Sequence, residues 1–213
     1  MNSLIKLISI GSNALDVEND GIDFSKIAHF GKLKDEFEEF YELKNGFYAF
    51  EMALHIFPVS NREDILTIQK WNSKNLWRKG YHDLEEDICF FAEDLFGFQF
   101  CIKDHKIFLF DGEIFKFELF ADSLREWAEK ILGNYNLYTG FPLAHEWQKK
   151  NGALKNNQRL SPVTPFALGG KFELENLKAI DSIELMRWRA DLHNQIKDIP
   201  DGAPIKLKIR KKD

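Results

Sequence analysis

The chain has 213 residues, 44% of them hydrophobic, with 20 Phe and 5 Trp, which is enough apolar surface to offset chain entropy and exclude a disordered protein. Its formal charge of -5 argues against direct nucleic-acid binding, which needs clustered Lys and Arg, and favours a basic protein partner drawn in by the field. No run approaches the ~18 apolar residues of a membrane span. The first residues show no clear cleavage signal, and the two cysteines, Cys89 and Cys101, lack CxxC spacing, so a cytoplasmic protein is expected.

Residues 3 to 10, SLIKLISI, are apolar and β-branched and predict a first strand, followed by the turn-rich GSNALDVENDG. From Lys32 to Lys44, Leu33, Phe37, Phe40 and Tyr41 recur at helical spacing with acidic residues between them. This predicts an amphipathic helix stopped at Asn45-Gly46, where glycine tolerates a left-handed backbone. The following FYAFEMALHIFP reads equally as buried helix or buried strand. Residues 62 to 84 predict a broken helix and loop that packs its aromatics onto the domain.

Between 88 and 132 lie four short runs of strand character, ICFF, FGFQFCI, KIFLFD and FKFELF, which predict a meander. Lys103-Asp104-His105-Lys106 forms a tight connection between the second and third runs, and Gly112 punctuates the third and fourth. Ser123 and Glu126 spell a capping box, and Leu124, Trp127, Ala128 and Ile131 give the helix after it a buried stripe that stops at Gly133. The last third predicts a helix opened by Pro142, a strand pair around Gly169-Gly170, and a helix from Ser182 to Lys197. A final strand is expected in PIKLKI, with Lys206 and Lys208 on its wet face and Arg210, Lys211 and Lys212 as a solvated end.

Few residues suggest catalysis. Glu93 and Asp94 are adjacent, so their side chains diverge, and they read as a turn into the next strand more readily than as a general acid and base. His145-Glu146 begins a zinc-protease pattern, but Lys149 stands where its second histidine is required. His29, His55, His82, His105 and His193 are scattered singly, and no phosphate loop or nucleophile elbow occurs. No catalytic residue, cofactor or metal ligand is assigned. Gly97, inside a strand run, marks a bulge or a place of close approach.

Taken in order, FEEFYELKNGFYAF at 37 to 50, FFAEDLFGFQFCIKDHKIFLFD at 90 to 111 and ADSLREWAEKIL at 121 to 132 resemble the SUKH superfamily, which includes bacterial toxin-immunity proteins and a fungal cell-wall-assembly regulator. The resemblance rests on the Asn45-Gly46 step after a helix, on Gly97 within a strand, and on Ser123 and Trp127 in the closing helix. It implies an α+β fold, with a mostly antiparallel central sheet and flanking helices in a core of residues 1–133. Residues 134–213 are expected to form a C-terminal extension packed on the same domain.

It also implies a binding protein that neutralises a cognate toxin, such as a basic nuclease domain, by occluding it. Carboxylates at Glu36, Glu38, Glu39, Glu42, Glu93 and Asp94 would orient that partner, with Trp71, Trp77 and Trp147 as exposed anchors. Two other readings compete with this one: a regulatory adaptor of the same fold, and an enzyme drawing on Glu93, Asp94, His105 or His145.

Overall fold

A computed structural model describes residues 2–17, 31–200 and 202–207. The first element is helix α1 (Ser3–Ile10), not the expected strand. The apolar residues of SLIKLISI recur at three-residue spacing as well as in strand-like density, and the helix buries Leu4 and Leu7 while the Asn2 side chain caps it by accepting from the Leu4 amide. Helix α2 (Lys34–Leu43) buries Phe37, Phe40 and Tyr41 as the spacing predicted.

The ambiguous segment is a hairpin of two short strands, β1 (Phe47–Ala49) and β2 (Leu54–Ile56). Its tight connection puts Phe50, Glu51 and Met52 at positive φ. Asn45 and Gly46 do not end the α2 helix, whose cap is the extended Lys44; they anchor the hairpin. The Asn45 amide accepts from the Val59 N–H and donates to the Val59 carbonyl, both at 2.8 Å, much as a neighbouring strand would. Gly46, at φ +66°, leaves room for Pro58, whose backbone would lie 2.6 Å from an added Cβ.

The short helix α3 (Ile68–Trp71) is followed by the predicted meander, with β3 (Cys89–Asp94), β4 (Gln99–Lys103), β5 (Lys106–Asp111) and β6 (Lys116–Ala121). Together β1 to β6 form one antiparallel sheet in sequence order. Asp104 and His105, both at positive φ, make the two-residue turn between β4 and β5.

Helix α4 (Leu124–Gly133) opens on Ser123, whose hydroxyl accepts from the Glu126 amide. The Glu126 carboxylate accepts from the Asp122 amide, one residue earlier than a standard box. Helices α5 (Tyr135–Thr139) and α6 (Phe141–Asn151) follow. Strands β7 (Gln158–Pro162) and β8 (Leu177–Asp181) then pair in a second sheet, with Gly169-Gly170 in the loop between them, and helix α7 (Ser182–Ile196) is the last helix among the described residues.

Residues 202–207 carry no strand, so PIKLKI is not one over its described part; residues 208–213, and with them Lys208, Arg210, Lys211 and Lys212, lie outside the described residues, as does His29.

The sheet is covered on both faces. Successive side chains of β3 leave on opposite faces, and the register shifts between Phe90 and Ala92. Phe91 meets Phe37 of α2 and Trp127 of α4 at ring distances of 5.0 and 5.3 Å, whereas Phe90 meets Trp77 and Phe110 on the other side. There Phe57, Trp71, Trp77 and Tyr81 form a continuous aromatic chain. Met186 and Ala190 of α7 join the same core, so residues after 133 complete the interior. The fold is α+β, with a central antiparallel sheet flanked by helices.

Candidate functional site

Glu93 and Asp94, adjacent at the end of β3, have separate fates because successive side chains of a strand leave on opposite faces. Glu93 is fully buried. One of its carboxylate oxygens lies 3.1 Å from His55 Nδ1 and 2.8 Å from Arg159 Nε, and the other accepts from the Gln99 amide at 3.1 Å. Gln99 in turn accepts from Trp71 Nε1 at 2.9 Å.

The Arg159 contact is ionic, since its Nε–H is not directed along it, but NH1 of the same guanidinium donates to the Met52 and Gln158 carbonyls. Burial alone would raise the Glu93 carboxyl; Arg159, with His55 and Gln99, outweighs it and holds Glu93 below the usual carboxylate range. Burial lowers His55 to about 4 against the pull of its Glu93 hydrogen bond, so the neutral ring carries its proton on Nδ1 and donates it to Glu93.

Asp94 turns away from that network. Its Oδ1 accepts from the Phe96 and Phe98 amides at 2.9 and 2.8 Å and so closes the β3–β4 loop, while burial pushes the carboxyl up to about 7 against the attraction of Arg189. The loop turns at Gly97, φ +84°, where an added Cβ would stand 2.7 Å from Leu185 of α7. This is the close approach the sequence pointed to, although a side chain makes it. Arg189 of α7 reaches the same loop: its NH2 donates to the Phe96 carbonyl at 2.8 Å, lies 3.7 Å from Glu113, and its guanidinium stacks on the Phe98 ring. Two buried arginines from the last third of the chain therefore fix this end of the sheet, Arg159 on Glu93 of β3 and Arg189 on the β3–β4 loop.

Asp94 also lines a groove of about 600 Å³ between the β4–β6 end of the sheet and the α5–α6 corner. Its walls are largely apolar, among them Phe98, Leu109, Leu137 and Leu143, and its charged residues are Asp94, Asp111, Lys116 and Glu118. Ile114, Leu137 and Phe172 leave 47%, 67% and 50% of their surface open around it. A groove with an apolar lining and a few convergent polar groups is the form ligand sites take. It was not legible in the sequence, because it joins residues of β3–β6 to the α5–α6 corner and to Phe172, far apart in the chain.

The other residues singled out from the sequence are spread over the molecule. Trp71 and Trp77 are buried core rings, which corrects their reading as exposed anchors, and Glu93, sealed by Arg159, is corrected in the same way as a surface carboxylate. Trp147 is half-buried, with Nε1 donating to the Leu177 carbonyl. On α2, Glu36 accepts from the Arg125 amide and Glu38 pairs with Lys34 at 3.0 Å, while Glu39 and Glu42 are exposed; none of the four lines the groove. His105 sits in the β4–β5 turn and His145 pairs with Glu51 on the surface, so neither joins Glu93. Asn45, Gly46, Gly97, Ser123 and Trp127 all have structural places.

No protein-family model and no curated protein matches the chain. Among solved structures it is similar to the crystal structure of Atu4351 from Agrobacterium tumefaciens, with a TM-score of 0.54 and 17% identity over 89% of this chain and 87% of that one. At that identity the likeness shows the fold. Among the described residues no helix is long and apolar enough to cross a membrane.

Proposed function

We propose that this chain is an immunity-type binding protein of the SUKH kind, which neutralises a cognate toxin domain in the cytoplasm by covering it. The observation that carries the reading is the open groove: its apolar lining and rim suit protein contact, and its carboxylates outnumber its ammonium three to one. The chain's charge of -5 adds long-range attraction for a basic partner such as a nuclease domain, and Glu39 and Glu42 add exposed acid at a second place. Coexpression with toxins encoded beside it tests the reading. Rescue of growth that weakens as salt rises supports it, whereas failure to rescue against every such toxin, or capture of a housekeeping partner in its place, overturns it in favour of an adaptor.

A further inference from the structure

We propose that the groove takes a cationic side chain, an arginine or lysine on an exposed segment of the partner, with its aliphatic stem against Phe98 and Leu109 and its charged head between Asp94 and Asp111. The inference deepens the binding reading above and rests on it for the partner being a protein. Three observations carry it.

Charge comes first. Lys116, the cation of the groove, is bonded to Glu118, which leaves Asp111 to attract a further cation, with Asp94, which Arg189 attracts from the α7 side, beside it. Second, both carboxylates spend their hydrogen bonds on backbone amides through a single oxygen: Asp94 Oδ1 on Phe96 and Phe98, and Asp111 Oδ1 on Glu113. Asp94 is only 5% exposed, yet its Oδ2 has no hydrogen-bond partner among the described residues. That oxygen keeps an edge open to solvent, where a guanidinium or ammonium entering the groove would give it charge-assisted bonds.

Shape comes third. The apolar walls suit the methylene stem of such a side chain, and about 600 Å³ exceeds what one side chain fills, so its apolar neighbours in the segment would cover Ile114, Leu137 and Phe172. Arg189 does not take this place: it approaches Asp94 from the α7 side, with NH2 on the Phe96 carbonyl and its guanidinium over Phe98.

The test uses the intact protein and three acetylated, amidated tripeptides, Leu-Arg-Leu, Leu-citrulline-Leu and Leu-Glu-Leu, titrated against methyl-labelled protein by NMR. The expected result is that Leu-Arg-Leu shifts the methyls of Leu109, Ile114, Leu137 and Leu143. Citrulline, which keeps the shape and loses the charge, should bind about tenfold more weakly, and D94N and D111N, which keep the backbone acceptors, should each weaken the arginine peptide. Equal shifts from all three peptides, or none at these methyls, overturn the proposal.

Coexpression separates the two levels. If the wild type rescues against a toxin and the D94N/D111N double variant rescues equally well, the groove proposal falls and the immunity reading stands. If the wild type rescues against none, the immunity reading falls, and the peptide titration alone supports or overturns the cation site.

Discussion

At the scale of single residues, Glu93 and Asp94 show how little adjacency in sequence says about role. Two carboxylates in AED read alike, but one faces Arg159 and the other a groove, because β3 alternates its side chains and Arg159 arrives from a strand with no sequence link to β3. The shifts make opposite predictions for stability against pH. His55, lowered from 6.5 to about 4, binds its proton more readily in the unfolded chain, so its contribution is present above pH ~6.5 and is lost as pH falls towards 4. Asp94, raised from 3.8 to about 7, binds its proton more readily in the folded chain, so its contribution is present below its unfolded value and is lost as pH rises through 7.

The two slopes oppose each other between pH 4 and 6.5. D94N should therefore leave a melting temperature that climbs with pH across this window more steeply than that of the wild type; parallel curves would refute the Asp94 assignment. The thiols follow from burial as well. Cys89, pushed up to about 12, and Cys101, raised well above the usual thiol, should react with Ellman's reagent only at the rate of global unfolding.

At the scale of elements, the meander was legible because β3 to β6 are separated by short turns and rich in phenylalanine, and α2, α4 and α7 because their apolar residues keep helical spacing. Elements were missed where one pattern serves two structures. SLIKLISI satisfies both periods over eight residues, and a capping Asn2 with a partner surface for Leu4 and Leu7 decides for helix. PIKLKI alternates well, but over its described part it pairs with no neighbouring strand.

The tryptophans of 62 to 84 were legible as packing anchors but not as members of one chain of rings beneath α7, which made them look available to a partner. Gly97 ties the β3–β4 turn to α7. G97A adds a methyl against Leu185 at a positive φ and should cost about 1–3 kcal/mol in urea unfolding. G133A, where an added Cβ meets nothing within 4 Å, is the matched control and should cost nothing.

At the scale of the whole molecule, residues beyond 133 share the interior of those before it. Arg159 and Arg189 enter from beyond it, and Met186 and Ala190 close the aromatic face. Nothing between 134 and 213 announces this, because a buried arginine looks like a surface one until the carboxylate it meets is known. Breaking the Arg159–Glu93 pair by removing one partner should be expensive. R159M leaves Glu93 charged and dry and should cost about 3–5 kcal/mol, while R159M/E93Q should recover part of that loss, giving a coupling in the double-mutant cycle. Strict additivity would mean the pair contributes nothing.

The same two arginines also order events on the ribosome, where the N-terminal part of a chain emerges and folds first. All six strands of the large sheet are translated before Arg159 and Arg189. Until then Glu93 is a carboxylate with no counter-charge, and it keeps its hydration shell. A pause in translation before β7 would therefore hold a half-built protein in which that face of the sheet stays uncovered and hydrated.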